Sequence, residues 1–423
     1  MPSSPRTKLR IVASVLLGPG FWDAVAGRFL LQPVPRDGGP PSPAGEASAW
    51  RDLRGALHIH STYSDGAGDI PTVMAAAAEA GVDFVLLADH NTQRPLRDGW
   101  EAKYAAKPLL LIGTEVTVDK GAFLLALDMP PDWEPVKYEP PQVAVDAVNA
   151  EGGLPLVSLP FDVKHPWLDW NVRGYEGLEV INLSTIARRH VNAPSMLWLV
   201  PIYRTKGALA ALRALVTRPD RELALWDRLT GGDGGQPMVG ICALDAHALM
   251  KIGKKKYPIP SYADSFRAAT THVLLPPEEP ASSDRRAIYD ALRAGRCYMA
   301  YDCVGDPTGF DFRAAGGGST ATMGECLTPG GDEVHFSARV DGDGSRVLLR
   351  LFRDGRIVAA GDRGRLAFTT DVPGAYRVEA YLYARRVGPL VLGARPWVFS
   401  NPIYVRGEKM RAPGEENATQ NGN

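Results

Sequence analysis

The chain has 423 residues, of which 45% are hydrophobic and 22% are charged. Its 47 basic and 48 acidic side chains leave a net charge of −1, so it lacks the global positive field that collects the phosphates of a nucleic acid. The apolar content excludes wholesale disorder, and because single domains rarely exceed roughly 250–300 residues, we expect two folded units.

Residues 1–50 are predicted to form a segment that precedes the folded body. An uncharged run from Ile11 to Trp22 follows three basic residues and is shorter than the ~20 apolar residues that span a bilayer. Together with Ala24-Val25-Ala26, this run is typical of a signal peptide, which predicts an exported or envelope-associated protein. A frayed helix of a cytoplasmic protein is the alternative. The Pro-rich residues from Pro33 to Ser48 are typical of a tether.

Short apolar runs alternate with helical stretches over residues 51–300, which we expect to form one domain. The runs predicted to be strands are Leu53–Ile59, Phe84–Leu87, Leu109–Ile112, Phe123–Leu127, Leu154–Ser158, Leu178–Ile181 and Val239–Leu244. Runs of this kind are typical of a parallel sheet that is buried on both faces. Their number favours a closed, TIM-like β/α barrel over an open sheet, although periodicity alone does not prove closure.

Helices are predicted between these strands. The first covers Ile70–Ala80, where Asp69 can cap the first turn. A longer helical insert is expected over residues 185–230, with helices over Lys206–Val216 and Arg221–Leu229. We interpret the insert as packing bulk, and a lid is the alternative.

After Tyr301 the pattern changes from helical to alternating. The alternating runs are Val334–Val340, Val347–Phe352, Leu366–Thr370, Tyr376–Tyr383 and Val398–Val405. Short strands separated by Asp-Gly and Pro-Gly turns predict a small all-β sandwich over residues 301–406. This region contains no cluster of titratable residues, so we expect it to have a structural or docking role. Residues 407–423 are polar and predicted to be disordered.

Four of the predicted strands end in histidine or acidic side chains. These side chains are His58 and His60 at the end of the first strand, Asp89 and His90 after the second, Glu115 after the third, and Asp245 and His247 after the last. Because His58 and His60 are two positions apart on a strand, both imidazoles should face one side. In a parallel barrel such strand ends meet on one face, where active sites lie.

Each of these residues alone is weak evidence for a functional site. A His-x-His pair is more often an ordinary surface or core feature, and an aspartate more often caps a helix. Their conjunction predicts a metal centre, because burying several imidazoles and carboxylates together without a cation is costly. Mixed imidazole and carboxylate ligands suit Zn, Mn or Fe better than Ca or Mg.

The motifs at these positions resemble those of the PHP (polymerase and histidinol phosphatase) family. The matching segments are His58-Ile59-His60-Ser61-Thr62-Tyr63-Ser64-Asp65-Gly66, Leu87-Ala88-Asp89-His90-Asn91, Gly113-Thr114-Glu115 and Asp245-Ala246-His247. The resemblance spans about Leu53 to Cys303, and the β-rich region that follows is similar to the carbaryl-hydrolase-related branch. It implies a distorted seven-stranded β/α barrel and up to three metal ions, usually used to hydrolyse phosphoesters.

The resemblance also implies a ligand set. One metal ion would be held by His58, His60, Glu115 and Asp245, and another by Asp65, His90 and His247. In the family, two further histidines and Glu115 hold a middle ion, but Ala122 and Leu159 stand at those positions here and cannot bind metal. Asp162 and His165 are candidate replacement ligands. We therefore expect two ions and an empty or weak middle position.

These features predict a metal-dependent hydrolase in which metal-activated water attacks phosphorus or a carbonyl carbon. A phosphoester is the first substrate expected, and a carbamate, amide or ester is the second. Arg94, Arg97 and Lys254 follow ligand-bearing strand ends and are candidates for binding a small anionic or ester-type substrate. A metal-binding module with little turnover is the alternative from another class. Nucleic acid is not an expected partner, membrane or envelope association would use the N-terminus, and the oligomeric state is left open.

Overall fold

The computed structural model describes residues 32–33, 50–232, 235–252, 255–277, 284–340, 346–387 and 390–407. The predicted signal peptide, most of the tether, the tail beyond residue 407 and Lys254 lie outside the described residues. Within the described ranges, no helix is both long enough and apolar enough to cross a membrane.

Helices and strands alternate through the first 300 residues. The helices are α1 Ile70–Ala80, α2 Arg94–Arg97, α3 Trp100–Lys103, α4 Pro141–Ala150, α5 Leu183–His190, α6 Ala193–Leu215, α7 Asp220–Thr230, α8 Tyr262–Phe266 and α9 Asp284–Arg293. The strands are β1 Gln32–Pro33, β2 Arg51–Ile59, β3 Phe84–Leu87, β4 Leu109–Ile112, β5 Thr114–Thr117, β6 Phe123–Leu127, β7 Leu154–Ser158, β8 Gly177–Asn182, β9 Val239–Ala246, β10 Met250–Ile252, β11 Lys255–Tyr257, β12 Thr270–Leu275 and β13 Cys297–Ala300.

The region after Tyr301 is rich in strands. They are β14 Asp311–Gly316, β15 Ser319–Thr322, β16 Cys326–Leu327, β17 Val334–Arg339, β18 Val347–Arg353, β19 Arg356–Gly361, β20 Arg365–Thr370, β21 Gly374–Leu382, β22 Arg385–Val387, β23 Leu390–Leu392, β24 Arg395–Ser400 and β25 Ile403–Val405. Strands β14, β15, β17 and β20 form a four-stranded sheet. Phe336 of this sheet stacks on Tyr376 of β21, with ring centroids 4.3 Å apart.

The large sheet is mixed, not wholly parallel as the sequence predicts. Parallel ladders join β4 to β3, β3 to β2, β2 to β9, β9 to β8 and β8 to β7. The ladders between β5 and β6 and between β6 and β7 are antiparallel. The first reversal has a direct cause. Only a short 3₁₀ turn, Asp119–Gly121, joins β5 to β6, whereas parallel neighbours need a crossover of a dozen or more residues.

The sheet continues beyond these strands into the C-terminal region. Strand β2 also pairs with β12, β12 pairs with β13, and β13 pairs with β24. Among the described ladders, β4 pairs only with β3 and β5 only with β6, so no ladder joins β4 directly to β6. The observed architecture is therefore a mixed α/β sheet with a β-rich region, and the closed barrel is not established by these ladders.

Both faces of the large sheet are buried. One face forms a leucine-rich core with Leu53, Leu57, Phe84, Leu86, Leu109, Leu111, Leu125, Leu127, Leu154, Leu156, Val239 and Ile241. Ile288 and Leu292 of α9 belong to this core. Alternate residues such as Val85 and Leu87 join the larger core that includes Val73 of α1. Burial on both faces explains why these strands are continuous apolar runs in the sequence.

The helical elements partly match their prediction. Helix α1 covers the predicted residues, and Asp69 caps it by accepting a hydrogen bond from the Thr72 backbone N–H at 2.9 Å. Within the insert, the helix predicted over Lys206–Val216 starts earlier, because α6 begins at Ala193 and contains Pro201. The proline hid this half of the helix from a pattern-based prediction. Gly207, with φ of 83°, kinks α6 where the predicted helix begins.

Candidate metal centre

The ends of β2, β5 and β9 and the residue His90, which follows β3, bring the predicted ligands together. Two groups of side chains have donor atoms that all lie within 4.8 Å of one another. The first group is His58, His60 and Asp245, and the second is His60, Asp65, His90 and His247. The geometry thus places His60 in both groups, whereas the sequence assigns it to one.

Strand β2 presents His58 and His60 through an irregular backbone. His58 has a φ of 64°, in the left-handed region, and the ladders of β2 with both β3 and β9 shift register between Leu57 and Ile59. Regular alternation predicts that Leu57 and Ile59 share a face, but they belong to different cores. The bulge therefore re-aims His58 so that its ring lies 5.0 Å from that of His60.

Glu179 orients His58 from the side away from the other ligands. The Glu179 carboxylate is fully buried, and its Oε1 lies 2.5 Å from His58 Nδ1. Its Oε2 accepts hydrogen bonds from Leu159 N–H at 2.9 Å and from the Asn182 side chain at 2.8 Å. Because Glu179 engages Nδ1, the Nε2 atom of His58 is left to face the cluster. Carboxylate partners of this kind commonly fix metal-binding histidines.

Glu115 lies between the imidazoles. Its Oε1 is 3.3 Å from His58 Nε2 and accepts a hydrogen bond from the Ser158 hydroxyl at 2.9 Å. Its Oε2 is 3.5 Å from His60 Nε2 and 3.1 Å from His90 Nδ1. The carboxylate is 1% exposed. Glu115 therefore connects the two groups of candidate ligands.

Two aspartates complete the cluster, Asp245 in the first group of candidate ligands and Asp65 in the second. Asp245 Oδ1 lies 3.3 Å from His60 Nε2, while its Oδ2 accepts a hydrogen bond from Arg188 at 2.6 Å. Asp65 Oδ1 lies 3.0 Å from His247 Nε2 and 3.7 Å from His90 Nε2. Asp65 is 56% exposed at the side chain, so this side of the cluster is open to solvent.

The electrostatics of the cluster show opposed effects of burial and charge. Burial alone would lower the pKa of His58, but the carboxylates of Glu115 and Glu179 raise it well above its ordinary value. Burial would raise the pKa of Asp65, but hydrogen bonding and attraction to His247 lower it to about 2. The pKa of Asp245 is lowered, against burial, by the close contact of its Oδ1 with His60 Nε2 and by the other nearby histidines. The acidic members are therefore carboxylates at neutral pH.

Three buried imidazole nitrogens lack hydrogen-bond partners among the described residues. They are His58 Nε2, His60 Nε2 and His90 Nδ1. A buried polar atom without a partner is normally expensive. All three face carboxylate oxygens at 3.1–3.5 Å without hydrogen-bond geometry. A cation among them would satisfy both kinds of group, so these residues fit a divalent metal ion.

Neither candidate replacement ligand joins the cluster. Asp162 accepts hydrogen bonds from the Lys164 and His165 backbone N–H groups and pairs with Arg188 at 2.7 Å. His165 Nδ1 lies 3.0 Å from the carbonyl oxygen of Gly121. Its ring packs edge-on against Phe123, and Phe123 in turn contacts His90, so one aromatic ring separates His165 from the cluster.

Apolar, buried residues stand at the two positions where the resemblance implies further histidines. Ala122 is 3% exposed and Leu159 is 2% exposed. Leu159 has a φ of 50°, and its backbone N–H donates a hydrogen bond to Glu179. Within the described residues, Leu159 therefore contributes to the cluster only through this backbone hydrogen bond to Glu179.

The predicted substrate-binding arginines lie near the surface. Arg94 is exposed and lies over the ring of Tyr63 at 5.7 Å. Arg97 is exposed and pairs with Glu134 at 2.7 Å. Neither makes a described contact with the clustered ligands.

Sequence reasoning missed two residues that contact the predicted ligands, Glu179 and Arg188. Glu179 is a lone acid inside the buried strand β8, and a lone acid in an apolar run is a usable sign of function. Arg188 ends helix α5 beside Arg189 and His190, where basic residues are ordinary. Asp89, in contrast, accepts hydrogen bonds from Ser61 and Ser64 and holds the loop that carries Asp65.

Comparison with known proteins gives distant similarities. No family model matches the chain. An uncharacterized protein of Methanocaldococcus jannaschii is 25% identical over 126 residues, covering 26% of this chain and 68% of that protein. A two-domain protein of Bacteroides vulgatus, containing a predicted PHP-like metal-dependent phosphoesterase, is 14% identical with a TM-score of 0.38, over 82% of this chain and 94% of that one. An amidohydrolase of Chromobacterium violaceum is 15% identical with a TM-score of 0.28, over 49% and 92%.

Proposed function

We propose that the protein is a metal-dependent hydrolase and, more specifically, a phosphoesterase of the PHP type. The observation that carries this proposal is the convergence of three unpartnered imidazole nitrogens and three carboxylates at the strand ends. A purely structural cluster would pair these groups with one another, because buried unpaired polar atoms destabilise a fold. The similarity of the motifs to the PHP family supports the same assignment, and the carbaryl-hydrolase-related branch is our finer assignment.

The fold proposed for this function is a distorted seven-stranded barrel. Its support is the order of ladders, which runs from β2 through β3 to β4 and from β5 through β6, β7, β8 and β9 back to β2. Gly113 alone separates β4 from β5. We further propose that residues 51–300 form the metal-binding domain and residues 301–406 a β-sandwich, which the stacking of Phe336 on Tyr376 supports.

The two groups of ligands suggest two metal ions that share the region around His60 and Glu115. Nitrogen and carboxylate donors favour Zn, Mn or Fe. When bound, such ions lower the pKa of water and stabilise charge on an attacked phosphoryl or carbonyl group. The protein's part is to orient the ligands: Glu179 fixes the His58 ring, Ser158 holds Glu115, and Arg188 holds Asp245. The exposed side at Asp65 gives the substrate access.

A weakly catalytic metal-binding module is the second candidate. The observation that favours it is the closed apolar packing of Ala122 and Leu159, which removes two ligands of a middle ion. Two suitably spaced ions can nevertheless assist hydrolysis without a third. Turnover is therefore the property that separates the two candidates.

The test uses the full chain loaded with Mn or Zn, with metal content per chain measured by elemental analysis. We expect two equivalents and hydrolysis of p-nitrophenyl phosphate or a bis-phosphoester, with a naphthyl carbamate as the alternative substrate. His58→Ala should reduce turnover by at least about a hundredfold, since the ligand and its link to Glu179 are both lost. His335→Ala removes an exposed histidine of β17 and is the matched control. Bound metal without turnover on any substrate would support the non-catalytic module, and absence of bound metal would refute both.

A further inference from the structure

The side chain of Arg188 reaches the metal centre from helix α5, outside the predicted ligand set. Its Nη2 donates to Asp245 Oδ2 at 2.6 Å and to Ser184 Oγ at 2.8 Å. Its Nη1 donates to Asp162 Oδ2 at 2.7 Å. Arg188 therefore pairs with the oxygen of Asp245 that faces away from the imidazoles, while Asp245 Oδ1 remains directed at His60.

The position of Arg188 is fixed by a second set of contacts. Asp162 is held by the backbone N–H groups of Lys164 and His165, at 2.8 and 3.1 Å, and by the Thr185 hydroxyl at 3.1 Å. Helix α5 itself begins at Asn182, whose side chain caps Thr185 and also donates to Glu179. The guanidinium is thus held in place before any substrate arrives, which reduces the entropy lost on binding.

Arg188 has hydrogen-bonding capacity to spare. A guanidinium carries five N–H donors in a planar fork. The contacts to Asp162, Ser184 and Asp245 use three of them, and within the described residues no partner is assigned to the remaining two. The side chain is 26% exposed, so part of it is accessible from solvent.

The acidic side chains of the metal centre make a nearby cation useful for binding an anionic substrate. Glu115, Asp245 and Asp65 surround the histidines, and together they would repel an anionic substrate. Arg188 is the cationic side chain that contacts this cluster in the described part of the chain, whereas Arg94 and Arg97 do not. Arginine suits phosphate because its fork matches two oxygens at once.

We propose that Arg188 binds a non-bridging phosphoryl oxygen of the substrate and so selects phosphoesters over neutral carbamates and carboxylic esters at this site. The proposal rests on the metal-dependent hydrolase function proposed above and narrows its substrate class. Arg188 also positions Asp245, and the experiment must separate the two roles.

The experiment compares Arg188→Gln with the wild-type full chain at equal metal content. Inorganic phosphate, titrated into the Mn-loaded protein by calorimetry, should bind about tenfold or more weakly, since a hydrogen bond to a charged group is lost. KM for p-nitrophenyl phosphate should rise similarly, while KM for neutral p-nitrophenyl acetate should not change. Arg188→Lys should restore part of the phosphate affinity. The matched control is Arg189→Gln, one residue further along α5, because Arg189 pairs with Glu222 instead.

Unchanged phosphate affinity in Arg188→Gln would overturn the proposal. Equal losses on the phosphate and acetate substrates, or a fall in metal content, would also overturn it, because Arg188 would then act only through Asp245. Failure of the proposed function is separately visible: the wild-type protein would bind metal and turn over no substrate, while the phosphate titration would still decide whether Arg188 binds the anion.

Discussion

His272 is a fully buried histidine on β12, paired in the ladder with Arg54 near the start of β2, whereas the metal centre lies at the end of that strand. Its Nδ1 lies 2.8 Å from Asp52 Oδ1 and 2.9 Å from the Tyr298 hydroxyl. Its Nε2 lies 3.6 Å from Asp302 Oδ1. Burial alone would lower its pKa, but the nearby carboxylates of Asp302 and Asp52 raise the pKa to about 9. His272 is therefore charged at neutral pH and serves stability.

This raised pKa predicts how stability changes with pH. The unfolded chain has an ordinary histidine pKa near 6.5, so the extra stability from the charged ring is complete below about pH 6.5 and is lost as the pH rises through about 9. The loss should be of the order of 3 kcal/mol, because the pKa of about 9 in the folded protein lies well above the unfolded value near 6.5. Urea unfolding of the metal-free protein across this window measures it. His272→Gln should remove this part of the pH dependence, and an unchanged slope in that variant would contradict the assignment.

At the level of single residues, sequence reasoning named the side chains that the structure brings together, but not the groups that orient them. Strand ends are readable because an apolar run stops at a histidine or an acid, as at Glu115. Arg188 could not be found this way, because its partners Asp162 and Asp245 are distant in the chain and meet only through the fold. Glu179 could have been found from the sequence, because it is the one charged residue within the strand β8. The pattern-based prediction did not use this feature.

Among the elements, strands β4 and β5 are separated by Gly113 alone, yet they pair with different neighbours. Strand β4 pairs with β3, whereas β5 pairs with β6, and Glu115 lies two residues beyond the change. A Cβ atom at Gly113 would lie 2.5 Å from Leu127 Cδ2 and 3.0 Å from the carbonyl oxygen of Ala126. Leu127 is fully buried, so it has little room to move. The absence of a side chain at Gly113 allows this close approach of β4–β5 to β6.

Gly113→Ala should therefore destabilise the protein by about 1–3 kcal/mol, the usual cost of overpacking a core. Chemical unfolding measures this free energy, and metal content per chain should fall with it if Glu115 is displaced. Gly407→Ala is a suitable control, because its Cβ would meet only Pro373 Cγ at 3.5 Å. Equal stability of the two variants would show that the sheet can relax around the added methyl group.

Where burial on both faces made the run apolar, the strand boundaries were predicted to within two residues. Strands Phe84–Leu87, Leu109–Ile112 and Phe123–Leu127 have the predicted bounds. Strand direction was not predictable in the same way, because an apolar run looks alike in parallel and antiparallel pairs. The reversal at β5 and β6 follows from a turn of a few residues, which composition alone does not distinguish from a loop.

Across the whole molecule, a buried ion network joins the helical insert to the β-rich region. Arg377 of β21 is 1% exposed and donates to Asp227 of α7 at 2.6 and 2.7 Å and to Glu379 at 2.5 Å. Arg218 also binds Glu379, at 2.8 and 2.5 Å. Burial would raise the pKa of Glu379, but Arg377 and Arg218 lower it to about 2. Glu379 is therefore ionised and paired with both arginines at neutral pH.

Arg377→Gln should lower the free energy of unfolding by about 3–5 kcal/mol, because it leaves two acids without their buried partner. Because the network spans both regions, we expect calorimetry to show one transition at a lower temperature, not the early melting of one region. Arg356→Gln, which changes an exposed arginine of strand β19 on the other side of β18, is the control. Separate transitions in the wild-type protein would show that the two regions unfold independently.

The pairing of β13 with β24 has a consequence for any attempt to isolate a minimal catalytic fragment. Tyr298, Met299 and Ala300 register with Ser400, Phe399 and Val398, so the last strand of the first region has its partner at the far end of the chain. Cutting after residue 300 would leave a row of unpaired backbone groups on an apolar strand, which is a template for edge-to-edge aggregation. In the intact chain strand β24 occupies this edge of β13, so we expect a fragment that ends at residue 300 to aggregate more readily than the full chain.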